Sequence, residues 1–141
     1  MRKCLICERI SLIKQGVSPH LVVELESSYV VLGDHQFYKG YTLLLSKIHC
    51  SELHLLPPGF KKQLLIEVAM VGEAVYKAFH PKKLNYELLG NEVSHVHWHI
   101  FPRYLDDPDL TMPVWVIDES TAIQRNQYLL KINLIHTRKN F

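Results

Sequence analysis

The run Ser94-His95-Val96-His97-Trp98-His99-Ile100-Phe101 alternates imidazoles with apolar side chains, and this period of two constrains the fold more than any other stretch. Side chains of an extended strand point to opposite faces in turn, so the pattern predicts a half-buried strand from His95 to Phe101. Val96, Trp98 and Ile100 are expected to enter the core. His95, His97 and His99 are expected to stand in a row on the other face. Three polar rings make a poor core face, because buried polar groups need partners. They make a good site for phosphate or metal, since imidazole donates a proton, attacks or coordinates.

The surrounding pattern predicts an α+β domain. Leu21–Leu25 and Tyr29–Leu32 read as a hairpin split by Glu26-Ser27-Ser28, and Tyr41–Leu45 as a third strand entered through Gly40. Pro57-Pro58-Gly59 opens a long helix over Phe60–Phe79, where Leu64, Leu65, Val68, Val71, Val75 and Tyr76 fall at helical spacing. Pro81 ends it. Leu84–Leu89 and His95–Phe101 follow as strands around the turn pair Gly90-Asn91. A second helix is expected from about Thr121 to Ile135, with Ser120 as its cap.

The whole chain, 1–141, reads as one domain with enough residues for its own core. A net charge of +2 without a run of like charges gives no electrostatic footprint for nucleic acid. Lys61-Lys62 and Lys82-Lys83 read as solvated surface. No signal or membrane-spanning stretch is seen, and three cysteines do not make a disulfide framework. These features point to the reducing environment of the cytoplasm and to no membrane partner.

Phosphoryl or nucleotidyl transfer needs a nucleophile in line with the leaving group and donors for the non-bridging oxygens. Neutral imidazole attacks phosphorus, and the resulting phosphoramidate is labile to water. His97 is flanked on both sides by rings that would hold the phosphate, so it is the expected nucleophile. His99 would contact the phosphate or donate a proton to the leaving group.

His95-Val96-His97-Trp98-His99-Ile100-Phe101, followed by Pro102-Arg103, resembles the histidine-triad (HIT) motif. Gly90-Asn91-Glu92-Val93-Ser94 is similar to the family's glycine-rich approach to the triad, usually Gly-Gln-Ser/Thr-Val-x. Gly40-Tyr41-Thr42-Leu43-Leu44-Leu45-Ser46-Lys47-Ile48-His49 resembles its Gly-His-x-Leu-Val-x-Pro-Lys-x-His strand, and Cys4-Leu5-Ile6-Cys7 its amino-terminal Cys-x-x-Cys. The resemblance implies a five-stranded antiparallel sheet with a long helix on one face and a C-terminal helix, commonly as a homodimer. It also implies His97 as nucleophile, oriented by a backbone carbonyl.

At flanking positions, Asn91 stands where Gln is usual, and both amides donate to a phosphate oxygen. Glu92 replaces Ser or Thr, and a carboxylate there is expected to point away from the phosphate. Asn85 matches a family Asn that contacts phosphate, and a turn or strand-edge role is the alternative. Asp34 lies near the acidic position that binds ribose hydroxyls in relatives. Trp98 reads as core, Trp115 as sheet packing or a base contact, and His35 as a loop residue.

Cys4 and Cys7 have the spacing that lets two thiolates share an ion, although redox pairs share it. By resemblance to zinc-bearing family members, His49 and His95 complete a Cys2His2 set. Four protein ligands leave no open position, so such a zinc would be structural. The alternative is a reduced, free pair with His95 bracing His97. Cys50 reads as a bystander.

The expected activity is attack by His97 on the α-phosphorus of a nucleotide conjugate. Dinucleoside polyphosphates such as diadenosine tetraphosphate come first as substrates and nucleoside phosphoramidates second. Two rivals are a metallohydrolase using all three histidines as ligands, and a nucleotide-binding regulator with little turnover.

Overall fold

The computed structural model describes residues 3–116, 118 and 120. Five strands form one antiparallel sheet in the order β1-β2-β3-β5-β4: β1 (Leu21–Glu24), β2 (Ser28–Leu32), β3 (Thr42–Ser46), β4 (Lys83–Glu87) and β5 (His97–Arg103). The long helix α2 (Pro58–Phe79) packs on one face. Its first turn carries Pro58, whose missing N–H costs nothing there, and it ends at His80 in a left-handed conformation, φ 49°, before Pro81. The predicted second helix, 121–135, lies outside the described residues.

A further helix was not foreseen. α1 (Leu5–Lys14) is capped by Cys4, whose Sγ accepts the Cys7 N–H, and it buries Ile6, Ile10 and Ile13. These lie at i, i+4 and i+7, so the helical signal was present beneath the Cys-x-x-Cys pattern. Gly16, at φ +73°, closes it.

The strand pleat explains why the central strands are apolar on both sides. Tyr29, Val31, Leu43, Leu45 and Phe101 meet α1 together with Phe37 and Tyr38. Val30, Leu44 and Ile100 point the other way, into Leu64, Val68, Val71 and Val75 of α2. Full burial of a side chain such as Leu64 contributes about 1.5–3 kcal/mol. α2 lies so close to β4 that a Cβ at Gly72 would come within 1.9 Å of the Tyr86 hydroxyl oxygen, so a side chain there would have to push the Tyr86 ring aside.

Two buried polar clusters tie elements together. Glu67 of α2 accepts from the Ser27 N–H at 2.9 Å, the Ser28 hydroxyl at 2.5 Å and Gln63 at 3.1 Å. Burial pushes its carboxyl up, but these donors together hold it below the usual range. Arg103 of β5 donates to Asp107, Asn85, and the Met112 and Asp109 carbonyls, clamping the chain that leads to Trp115.

Candidate active site and metal centre

The β5 ladder begins at His97, opposite Leu45, and His95 lies just outside it. There the backbone is held by bonds from the Val96 N–H to the Cys50 carbonyl, 2.8 Å, and from the Ser46 N–H to the Val96 carbonyl, 3.2 Å. The expectation of three rings lining one pocket is therefore corrected. His97 and His99 open into one cavity, while His95 turns towards the amino terminus of α1. The physical reason is that the His95 ring finds its partners, Cys4, Cys7 and His49, beside that helix.

A chain of directional bonds fixes the rings. His97 Nδ1 lies 2.6 Å from the His95 carbonyl, which only accepts, so that nitrogen carries the proton and Nε2 keeps its lone pair. His99 Nε2 is 3.1 Å from His97 Nε2, and His99 Nδ1 is 2.6 Å from the Tyr41 hydroxyl. Burial, with the neighbouring His97, pushes His99 down to about 4, so its ring is neutral at neutral pH. Burial and the Asp34 charge hold the Tyr41 phenol well above its ordinary value, so it stays protonated.

The cavity, about 350 Å³, is walled by α1, the 89–93 turn and Trp115. Gly90 makes that turn at φ +92°, a conformation that favours glycine, and presents Asn91 to the cavity. Glu92, an exposed residue of the same turn, also lines it. Asp34 sits at the edge in an ion pair with Arg9 of α1. Trp115 stands edge-on to His99, ring centroids 5.3 Å apart, and its Nε1–H donates to Glu87 at 2.5 Å. Burial raises the Glu87 carboxyl, and the indole bond offsets part of that rise.

Asn85 is not brought to this cavity. Its Oδ1 accepts from Arg103 at 2.9 Å, one cross-strand pair beyond Tyr86 and Ile100, because a buried guanidinium must satisfy its donors. Trp98 packs on the α2 side as expected, and His35 stands in a loop 5.3 Å from the Tyr41 ring. Residues not foreseen at the cavity include Arg9, Leu5 and Ile6 of α1, and Tyr41. Tyr41 had a signal, since it occupies the His position of the Gly-His strand pattern.

Cys4, Cys7, His49 and His95 converge, with donor atoms all within 4.8 Å of one another. Cys4 Sγ is 3.4 Å from His95 Nδ1, Cys7 Sγ is 3.2 Å from His49 Nδ1, and the two Nδ1 atoms are 3.2 Å apart. Ligands about 2.0–2.3 Å from a tetrahedral zinc lie about 3.3–3.8 Å from each other, so the donor set fits. His95 Nε2 is taken by the Ser46 carbonyl at 2.8 Å, leaving Nδ1 with the lone pair that ligation requires. Burial pushes the Cys7 thiol up and its contact with Cys4 adds to this, a cost that a cation among the four would reverse. Cys50 stands apart, its thiol on the Glu52 carbonyl.

Among the described residues, no helix is long and apolar enough to cross a membrane. The HIT domain model matches residues 15–106. The protein hit of Bacillus subtilis is 30% identical over 106 residues, 72% of this chain and 71% of its own. The adenosine 5′-monophosphoramidase of Saccharomyces cerevisiae is 25% identical over 101 residues, 71% of this chain and 62% of its own. A crystal structure of a HIT family member from Bacillus subtilis superposes with a TM-score of 0.65 at 26% identity, covering 96% of each chain.

Proposed function

Because the chain belongs to the HIT domain family, we propose that it is a nucleotide hydrolase or transferase in which His97 is the nucleophile. One observation carries this reading: His97 Nδ1 donates to the His95 carbonyl, so the neutral ring keeps its lone pair on Nε2, beside His99 on the wall of the cavity. In the first step a bond forms from His97 Nε2 to the α-phosphorus. The bond from phosphorus to the leaving group breaks, and its electron pair departs with that group. In the second step a water oxygen bonds to phosphorus, the N–P bond breaks with its pair returning to Nε2, and the water proton is released to solvent. His99 Nε2–H and Asn91 would donate to the phosphate oxygens, and Asp34 would accept from ribose hydroxyls.

The name of the yeast relative brings nucleoside phosphoramidates forward as the first conjugates to assay, ahead of dinucleoside polyphosphates. The three-histidine metal reading is less well supported, because His95 Nδ1 faces the cysteines while His97 and His99 face the cavity. The test is release of nucleoside monophosphate from these conjugates. Tight monophosphate binding with no turnover of any conjugate would favour the regulator reading.

The zinc we propose at Cys4, Cys7, His49 and His95 is structural and pins α1, which carries Arg9, Leu5 and Ile6 to the cavity. Cys4→Ser is expected to cut bound zinc, measured by plasma mass spectrometry, from about one per chain to a small fraction of that. It is also expected to lower Tm by about 5 °C. Unchanged metal content would remove the assignment.

The occupant we propose for the β4 edge is a second copy of the chain. Among the described residues β4 is an edge strand, bonded on one side to β5, and exposed Tyr86 on it and exposed Ile66 and Met70 on α2 add apolar surface. Light scattering should give twice the 16.5 kDa chain mass, and Met70→Lys should shift it towards the single chain. A single-chain mass for the parent protein would overturn this.

A further inference from the structure

We propose that Tyr41 is a positioning residue that sets the tautomer of His99 and thereby aims the His99 Nε2–H at the reacting phosphate. The inference rests on the reading in which His97 attacks phosphorus.

The argument starts from proton counting. His97 Nδ1 must donate to the His95 carbonyl, so in the neutral pair His97 Nε2 has only a lone pair. His99 Nε2 stands 3.1 Å from it. If His99 carried its proton on Nδ1 and gave it to the tyrosine oxygen, two lone pairs would face each other at that distance. The opposite arrangement satisfies every atom: the Tyr41 hydroxyl donates to His99 Nδ1 at 2.6 Å, and His99 Nε2–H donates to His97 Nε2. When His97 turns its lone pair to phosphorus, this N–H is released at the point where a phosphate oxygen arrives. It then serves as a preorganised donor for charge that builds up in the transition state.

The ring of Tyr41 is held so that its hydroxyl has little choice of direction. It is buried, and it stacks on Phe101 with centroids 4.1 Å apart and planes 12° from parallel. It lies flush on Gly33, where an added Cβ would meet Cδ1 of the ring at 2.0 Å. A buried phenol normally needs a hydrogen-bond partner, and the bond to His99 Nδ1 supplies it.

Tyr41→Phe keeps the stack and removes only the hydroxyl. Two measurements test the proposal. In long-range ¹H–¹⁵N spectra of the parent protein near neutral pH, His99 is expected as the Nε2–H tautomer; finding the proton on Nδ1 overturns the proposal without any variant. In Tyr41→Phe, which keeps the His97 lone pair but removes the donor to His99 Nδ1, the share of the Nδ1–H tautomer is expected to rise, with kcat falling about 100-fold and KM changing less than about twofold. A lost packing contact would not move the tautomer. Parent-like kcat and an unchanged tautomer in Tyr41→Phe sink the role of Tyr41 and leave that of His97 standing. Retained activity in His97→Ala would instead sink the nucleophile reading.

Discussion

Alanine at His97 is expected to stop release of nucleoside monophosphate from a conjugate, lowering kcat by about 10⁴-fold or more, the scale seen when a nucleophile is deleted. The covalent nucleotidyl adduct, seen by intact-mass spectrometry after acid quench of the parent protein, should be absent in the variant. The ring is buried, but its loss leaves the sheet ladder opposite Leu45 intact, so circular dichroism should be unchanged. His97→Ala that still forms product at the parent rate would remove the mechanism. The effect is large because the neighbouring groups do not replace the ring: His99 Nδ1 is engaged by Tyr41, and the Asn91 amide does not attack phosphorus.

Arg103→Leu should be the most damaging of these substitutions for stability. The guanidinium is only 2% exposed, with the Asp107 carboxylate fully buried beside it at 3.0 Å. It also donates to Asn85 at 2.9 Å and to the Met112 carbonyl at 2.7 Å, and its carbon lies 5.2 Å from the Tyr38 ring centre. Leucine removes the charge that balances the fully buried Asp107 carboxylate and leaves the Asn85 and Met112 oxygens without this donor. Breaking a buried pair in this way costs about 3–5 kcal/mol, which lowers Tm by about 10–15 °C in a chain of this size. Replacing both partners, Arg103→Met with Asp107→Leu, should recover part of that loss, because no charge is then left buried. Differential scanning calorimetry of the two variants decides it; equal loss in both would show that the pair itself contributes little. Because Arg103 clamps the 109–112 carbonyls just ahead of Trp115, the single variant should also raise KM.

The strands and α2 were readable because their patterns are local. The short apolar runs Tyr29–Val31 and Leu43–Leu45 encode strands buried on both faces, and the alternation from His97 to Ile100 encodes two different faces. The stripe Leu64, Val68, Val71, Val75 encodes one side of a helix, whereas Leu65 and Tyr76, read as part of it, are exposed. The boundaries shifted for reasons that lie outside each segment. The β5 ladder runs from His97 to Arg103 rather than from His95 to Phe101, because Arg103 finds its partners in the following loop and His95 finds its own near α1. α1 went unread because its three core isoleucines form a sparse stripe, with apolar Leu5 and Leu12 exposed on the same helix.

The chain by itself determined the chemistry available: alternate imidazoles, a cysteine pair, an amide turn and the strands that carry them. That follows from local rules, since residue type and spacing decide which face a side chain takes. Only the tertiary structure decided the allocation. It gave His95 to the cysteines, His97 and His99 to the cavity, Asn85 to Arg103, and Tyr41 to His99. Those choices depend on groups separated by tens of residues meeting in space, where each buried polar atom takes the partner within reach.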